Sequence, residues 1–236
     1  MTTEKRKSKR ALYFLVRLGI ALGSVCWDQA FVHAQRELSP EEDRLARAQA
    51  HRMTAEDLYG SGKIDDAIKQ WREAIRLDPG MAKARHDLSL VLRDKGQLAE
   101  AISELREVVR LDPKNASAHA DLGDALQERG DRDGALAAYR TALALVPNSA
   151  PLHSNLGYLL VQKGDLDGAI TEWREATRLD PQYPPPHLNL GEALESKGDV
   201  KGAIAAYEKF LDLAPEAPPA ADVRKRLSAL KAKSEF

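Results

Sequence analysis

The chain has little of what several protein classes depend on. Cys26 is its single cysteine among 236 residues, which excludes an internal disulfide framework and any cysteine-based zinc cluster. Aromatic residues make up only 6%, while alanine, leucine and long charged residues are abundant, so the composition favours helix over strand. A formal net charge of −1 gives no global basic field of the kind that indicates nucleic-acid binding. What remains is a foldable helical chain, with 43% hydrophobic and 30% charged residues.

Sequence motifs of enzymes are missing as well. The chain contains no nucleophile elbow, phosphate-binding loop, dinucleotide fingerprint or HExxH zinc motif. Adjacent carboxylates such as Asp65 and Asp66 fall at turns or helix starts, where capping explains them. We therefore expect no enzyme activity, no catalytic residue, no cofactor and no metal site.

The N-terminal residues have the three regions of a secretory signal peptide. The basic leader EKRKSKR precedes an apolar run of 10 residues at 18–27, and Val32 and Ala34 suit the small-residue slots before a cleavage. The run is about half of what a bilayer-spanning helix requires, and extending it backward would bury Arg17. We predict a signal peptide at 1–34 and an exported, periplasmic or extracellular protein of bacterial type. An uncleaved membrane anchor remains the alternative.

One tetrapeptide, RLDP, returns along the chain at residues 76–79, 110–113 and 178–181. Weaker copies, ALVP at 144–147 and DLAP at 212–215, complete a series in which the prolines are 34 residues apart. A fixed period of this size indicates a repeat architecture. With units started every 34 residues from position 48, five columns align without an insertion: Gly62, Gly96, Gly130, Gly164 and Gly198; Ala67, Ala101, Ala135, Ala169 and Ala203; Leu58, Leu92, Leu126, Leu160 and Leu194; Leu77, Leu111, Leu145, Leu179 and Leu213; and the bulky Trp71, Leu105, Tyr139, Trp173 and Tyr207.

Each unit has the pattern of two helices joined by a tight turn. In the third unit Leu122 and Leu126 lie at helical spacing, and Gly130 follows as a helix-ending residue. A second apolar stripe then includes Tyr139 and stops at Pro147, because proline cannot continue a helix. The pattern predicts two antiparallel helices in every unit.

These columns resemble the tetratricopeptide repeat (TPR), whose signature is W-x2-L-G-x2-Y, then A-x3-F, then P. The third unit carries Leu122-Gly123-x2-Leu126, Ala135-x3-Tyr139 and Pro147, with histidine in the tryptophan slot. The resemblance covers residues 48–215 and implies an all-α, right-handed superhelical solenoid of five helix-turn-helix units plus a C-terminal capping helix. Departures from the signature are mild: Thr54 replaces the leucine of the first unit, Ser89 replaces the glycine of the second, and Phe210 replaces an alanine in the fifth.

The period also predicts the boundaries of the chain's parts. A lead-in of the first helix at 35–47 begins near Pro40, where Ser39 and Glu42 form a capping box. The segment YPPPH at 183–187 is interpreted as the start of a helix, with a polyproline recognition segment as the alternative. Residues 218–236 are assigned to a capping helix and tail, with Val223, Leu227 and Leu230 on one stripe. The five repeats are placed at 48–81, 82–115, 116–149, 150–183 and 184–217.

Four histidines share one column and raise the question of a metal site: His51, His119, His153 and His187. Metal ligands must converge within about 2–3 Å of one ion, whereas this column places its members on successive units. We therefore interpret the column as packing between units. His86 lies outside it, with no acidic or cysteine cluster around it in the sequence.

The TPR resemblance implies a concave face, lined by the first helices, that binds extended or helical peptides. The inward residues expected on that face carry two bases and five acids, and are Arg52, Glu56, Lys83, Asp87, Leu90, Asp121, Asp124, Asn155, Tyr158, Leu188, Asn189 and Glu192. We expect a basic or polar peptide or protein partner, with Asp121 and Asp124 as acceptors beside the Tyr158 platform and with Asn155 and Asn189 holding a ligand backbone. A chaperone-type clamp for a terminal carboxylate is disfavoured, since these acids would repel it.

Two alternatives to this interpretation stay open. The polar face could be solvated and unused, because any such array places polar residues there. The protein could also be a self-associating structural scaffold of an envelope complex rather than an adaptor. The sequence leaves the oligomeric state and the partner undetermined, and it predicts contact with a membrane only through an uncleaved N-terminal segment.

Overall fold

The computed structural model describes residues 38–234, which are entirely helical apart from short connections. Each helix packs chiefly against the helix before it and the helix after it in the sequence, so the chain forms a stack of helical hairpins. The predicted all-α solenoid with a C-terminal capping helix is thereby confirmed. The helices are α1 Pro40–Gly60, α2 Ile64–Leu77, α3 Ala82–Asp94, α4 Leu98–Leu111, α5 Ala116–Glu128, α6 Arg132–Leu145, α7 Ala150–Gln162, α8 Leu166–Leu179, α9 Pro184–Ser196, α10 Val200–Leu213 and α11 Ala220–Ser234.

A glycine ends the first helix of every hairpin. Gly130 follows α5 with a φ of 88°, a left-handed conformation that side chains with a Cβ disfavour. The next residue, Asp131, caps α6 by accepting a hydrogen bond from the backbone nitrogen of Gly134 at 3.0 Å. The chain therefore reverses direction in about three residues, which brings the two helices of the hairpin side by side.

The two helices of a hairpin approach closely because a small residue faces a large one. A Cβ added at Gly123 would lie 2.8 Å from the ring of Tyr139, and one added at Gly157 would lie 2.6 Å from the indole of Trp173. All members of the bulky column are buried. In the second hairpin Ser89 occupies the glycine position, fully buried, with its hydroxyl donating to the carbonyl oxygen of His86 at 2.6 Å.

The predicted caps at both ends of the array are present. At the start of α1, the Ser39 hydroxyl accepts from the Glu42 backbone nitrogen, and the Glu42 carboxylate accepts from the Ser39 backbone nitrogen. At the other end, α11 covers α10 and buries Val223 and Leu230. Its Arg226 guanidinium lies 3.4 Å from Glu195, so polar contacts reinforce the apolar seal.

The predicted signal peptide at 1–34 lies outside the described residues. Within residues 38–234, no helix combines the length and the apolar composition needed to cross a membrane.

Candidate functional site

Contacts between neighbouring first helices fix the register of their shared face. Arg93 Nη1 lies 3.4 Å from Asp124 Oδ2, and Asn155 Nδ2 lies 3.3 Å from Asp124 Oδ1. In both pairs the partners are 31 residues apart, and Arg226 repeats the relation with Glu195. A residue of one first helix therefore faces the residue 31 positions further along. We call this shared face of α1, α3, α5, α7 and α9 the groove face.

The predicted groove residues of the first two hairpins pair with each other along their own helices. Arg52 and Glu56 form an ion pair one turn apart on α1. On α3, Lys83 Nζ lies 2.6 Å from Asp87 Oδ1, and Leu90 is half-buried on the same helix. These charges compensate each other, so this end of the groove face offers little net charge to a ligand.

In the middle of the groove face, Asp121 contacts the imidazole of His86 and the guanidinium of Arg93, neither of which was predicted to lie there. His86 Nε2 lies 2.7 Å from its Oδ2, and Arg93 Nη1 lies 3.9 Å from its Oδ1. The sequence showed no acidic partner for His86 because Asp121 lies 35 residues away, on the next hairpin. The 34-residue period brings the two residues onto adjacent units, but the equivalent of His86 is Ala120, so the period alone does not predict the contact with Asp121.

Asp124 is likewise engaged inside the protein. The buried Tyr139 hydroxyl donates to Asp124 Oδ1 and also lies 3.0 Å from Gln127 Oε1. Burial raises the pKa of Asp124 above its usual range, although Tyr139 and Arg93 oppose the shift. Burial and the neighbouring carboxylate also raise the pKa of Tyr139. Asp121, Asp124 and Asn155 thus belong to one polar network with His86 and Arg93, which joins three successive hairpins.

The fourth hairpin presents apolar side chains on the groove face instead. Tyr158 is 54% exposed and Val161 is 41% exposed, one helical turn apart on α7. By the 31-residue relation, Asn189 and Glu192 of α9 face Tyr158 and Val161. Leu188 and Asn189 are half-buried, and Glu192 Oε1 lies 3.7 Å from Arg226 Nη1. No other unit carries two apolar residues at the Tyr158 and Val161 positions.

Comparison with known proteins assigns the repeats to a family. Models described as TPR repeat match residues 123–164 and 157–198, and models described as tetratricopeptide repeat match residues 52–116 and 185–216. Together these matches extend over most of the chain. The chain belongs to the tetratricopeptide repeat family. No curated protein sequence matches it.

Solved TPR structures share the fold at low sequence identity. A crystal structure of MamA is 24% identical, covering 72% of this chain and 93% of its own, with a TM-score of 0.67. PilF of Pseudomonas aeruginosa is 20% identical, covering 82% and 88%, with a TM-score of 0.70. YrrB, described as a TPR protein with an unusual peptide-binding site, is 23% identical, covering 74% and 90%, with a TM-score of 0.63. At these identities the likeness concerns the fold alone.

The histidine column of these TPR units holds the connections between hairpins. The Nε2 atoms of His119, His153 and His187 lie 3.0–3.2 Å from the carbonyl oxygens of Pro113, Pro147 and Pro181, six residues earlier. Each histidine therefore ties the first helix of its unit to the end of the previous unit. Among residues 38–234, no group of three or more histidine, cysteine or acidic side chains converges as a metal site.

Proposed function

We propose that the protein is a non-catalytic adaptor that binds a segment of another protein along the groove face of its TPR array. The observation that carries this proposal is the pair Tyr158 and Val161, two large apolar side chains that are 54% and 41% exposed, whereas every other unit has a charged residue at one or both of these positions. Exposed aromatic side chains bury a large area on binding at a small cost in conformational entropy. The apolar pair therefore has the character of an anchor point for a ligand side chain.

The surroundings of this anchor indicate the chemistry of the ligand. The Asn189 amide can both donate to and accept from a peptide backbone. Glu128 and Glu192 are half-exposed carboxylates on the two neighbouring first helices, and each lies 3.7 Å from an arginine. An apolar residue flanked by basic or polar residues fits this arrangement better than an acidic segment. YrrB, whose described property is peptide binding, offers a precedent on the same fold.

Asp121 and Asp124 take a different role in this proposal from the one that the sequence suggested. Both carboxylates already accept hydrogen bonds or ion pairs from His86, Arg93, Tyr139 or Asn155. Displacing these partners would cost a ligand part of its binding free energy. We propose that the network sets the shape of the groove face and that the ligand is bound chiefly at the fourth and fifth hairpins.

Capture of partners from a cell-envelope extract of the source organism tests this function. The wild-type bait is compared with a Tyr158→Ala/Val161→Ser variant, and a Leu38→Ala/Leu45→Ala variant is the matched control because it also removes two exposed apolar side chains. We expect a protein that the wild type and the control retain and the groove variant loses. Equal retention by all three baits would contradict groove binding. Retention of nothing, with mass that rises with concentration in light scattering, would favour the self-associating scaffold.

We further propose that the protein is exported and that its signal peptide is cleaved after Ala34. The proposal is supported by the basic, apolar and small-residue regions of 1–34. Intact mass spectrometry of the protein recovered from cells tests it directly. A mature chain that begins at Gln35 supports cleavage, whereas a chain that retains residues 1–34 contradicts it.

A further inference from the structure

The outer face of the third hairpin lacks charges that its neighbours share. The first, second and fourth units each carry a Glu–Arg pair on the outer face of the second helix, with closest N–O distances of 2.6–2.9 Å: Glu73 with Arg76, Glu107 with Arg110, and Glu175 with Arg178. Each of these units also has an aspartate before its terminal proline. In the third unit these three positions are Thr141, Ala144 and Val146.

In place of these charges, small and apolar side chains are exposed on α6 and at its end. Leu145 is 37% exposed and Val146 is 45% exposed, whereas the equivalent Leu77 of the first unit is buried. Ala137, Thr141 and Ala144 are also exposed, and they lie one turn apart on the same helix. We call these five residues the unit-3 recess.

A column of arginines crosses the recess. Arg106, Arg140 and Arg174 occupy one position in the second, third and fourth units, and all three are exposed. At the two ends of the column the side chains are paired: Arg72 Nη2 lies 2.7 Å from Glu100 Oε1, and Lys231 Nζ lies 2.6 Å from Glu208 Oε1. The three central guanidinium groups form no ion pair with any residue in the described part of the chain.

The carboxylates on the three second helices do not balance this column. The helices α4, α6 and α8 carry seven acidic residues: Glu100, Glu104, Glu107, Asp133, Asp167, Glu172 and Glu175. Six of them lie within ion-pair distance of a different lysine or arginine, and Glu172 lies 2.6 Å from His153. On these three helices the column arginines therefore outnumber the carboxylates that have no lysine or arginine partner, although residues 35–236 as a whole carry a formal −5.

We propose that this outer surface docks an acidic amphipathic segment of a partner protein, with an apolar side chain on the unit-3 recess and carboxylates on Arg106, Arg140 and Arg174. Guanidinium groups bind carboxylates in two-point geometry, which suits a planar acidic ligand. The three arginines occupy one position of successive units, so they form a row that can meet carboxylates spaced along one extended or helical segment. This surface is distinct from the groove face, and the inference does not depend on the proposed function.

A protein segment fits this surface better than an anionic membrane does. Surface charges act over about 8 Å at physiological ionic strength, so a narrow segment senses mainly the arginines beside it. A bilayer would also face the rest of a chain whose charge is negative. The unit-3 recess is moreover a local feature of one unit, since the first, second and fourth units carry charges at the equivalent positions.

Fluorescence anisotropy with a defined probe tests the inference. The probe is a labelled peptide of glutamate and alanine with two leucines one helical turn apart, and it is titrated with the full-length protein. We expect the Arg106→Glu/Arg140→Glu/Arg174→Glu variant to bind the probe about tenfold or more weakly than the wild type. The matched control, Arg44→Glu/Arg47→Glu/Lys225→Glu, reverses three exposed cations elsewhere and should bind within about twofold of the wild type. Equal loss in both variants would overturn the site, because it would reveal an effect of total charge.

A separate experiment tests whether an apolar side chain of the ligand contacts the unit-3 recess. A second probe replaces the two leucines with serine, and a Leu145→Ser/Val146→Ser variant removes the recess. We expect the wild type to prefer the leucine probe severalfold and the recess variant to bind both probes equally. No preference in the wild type would overturn the recess as a docking point. Sedimentation with phosphatidylglycerol vesicles but no binding of either peptide would replace the protein segment with a membrane.

Discussion

The indole Nε1 of Trp173 donates a hydrogen bond to the carbonyl oxygen of Ser154, 3.1 Å away, beside Gly157. The first hairpin has the equivalent indole, Trp71, but its Nε1 is buried and has no hydrogen-bond partner among the described residues. Ala55 occupies the position equivalent to Gly157, where an added Cβ would lie 2.6 Å from the Trp173 Nε1. The methyl group of Ala55 is thus the local difference between the buried Trp71 nitrogen, which has no acceptor, and the buried Trp173 nitrogen, which has one.

Replacing each tryptophan with phenylalanine should therefore have unequal effects. Both changes remove similar buried area, but Trp173→Phe also removes a hydrogen bond, whereas Trp71→Phe removes a buried donor that has no acceptor. We expect Trp173→Phe to lower the free energy of unfolding by about 1 kcal/mol more than Trp71→Phe does. Urea unfolding followed by circular dichroism measures both. Equal losses would mean that Trp71 reaches an acceptor in solution.

Gly157→Ala should destabilise the protein, against the usual preference of helices for alanine. An exposed Gly→Ala change inside a helix normally stabilises by about 1 kcal/mol. Here the added Cβ would lie 2.6 Å from the Trp173 indole, so the two helices must separate, at a cost of about 1–3 kcal/mol. Gly80→Ala is the control, because its Cβ meets only an ordinary contact at 3.4 Å. A thermal midpoint for Gly157→Ala at or above that of the wild type would show that the close helix contact is absent.

Arg93→Leu should destabilise the array by removing the cation between Asp121 and Asp124. The two carboxylates would then keep only their contacts with His86, Tyr139 and Asn155 in a partly buried place, at a cost of about 1–3 kcal/mol. Asp124→Asn should relieve much of that loss, since asparagine keeps an acceptor for Tyr139 and carries no charge. Denaturant unfolding of the two single variants and the double variant forms the cycle that measures this coupling. Simple additivity of the two changes would show that Arg93 and Asp124 do not interact.

The free energy of unfolding should decrease as the pH is lowered, because His187 gains a proton more readily in the unfolded chain than in the folded one. Burial lowers the pKa of this histidine below its ordinary value of 6.5, and its Nε2 bonds the Pro181 carbonyl oxygen. The unfolded chain then binds a proton more readily than the folded one. The contribution of neutral His187 to the free energy of unfolding is therefore present above pH 6.5, and it is lost as the pH falls through the lower pKa that His187 has in the folded protein. The difference in unfolding free energy between the wild type and His187→Gln, measured from pH 8 to pH 5, should change in that direction. A difference independent of pH would contradict a buried, neutral His187.

The 34-residue columns predicted most of the fold because the residue type in each column meets a structural need within its own unit. Gly130 supplies a left-handed turn residue, Gly123 makes room for the Tyr139 ring, and Ser39 caps the first helix. These requirements involve residues within one unit, so one sequence displays them. The period then repeats the same geometry along the chain, which is why the helices could be placed before the structure was known.

The candidate site was harder to predict because it depends on the angle between units. Arg93 meets Asp124 at a separation of 31 residues, and His86 meets Asp121 at 35, and neither spacing follows from the columns alone. Three members of the histidine column, His119, His153 and His187, contact the end of the preceding unit as expected, whereas His51 contacts Gln70 of its own hairpin. The acceptors of the three Nε2 atoms are backbone carbonyls, which no sequence pattern displays. Tyr158 is 54% exposed, and its role as a groove residue, predicted from helical spacing, stays a prediction.

Site-specific photo-crosslinking in the source cells tests whether the groove face holds a partner at the fourth hairpin. Tyr158 is replaced by benzoylphenylalanine in one strain and Arg44, exposed on α1, in a second. We expect a discrete crosslinked adduct from position 158, identifiable by mass spectrometry, and none from position 44. No adduct at position 158, or the same adducts from both positions, would contradict it.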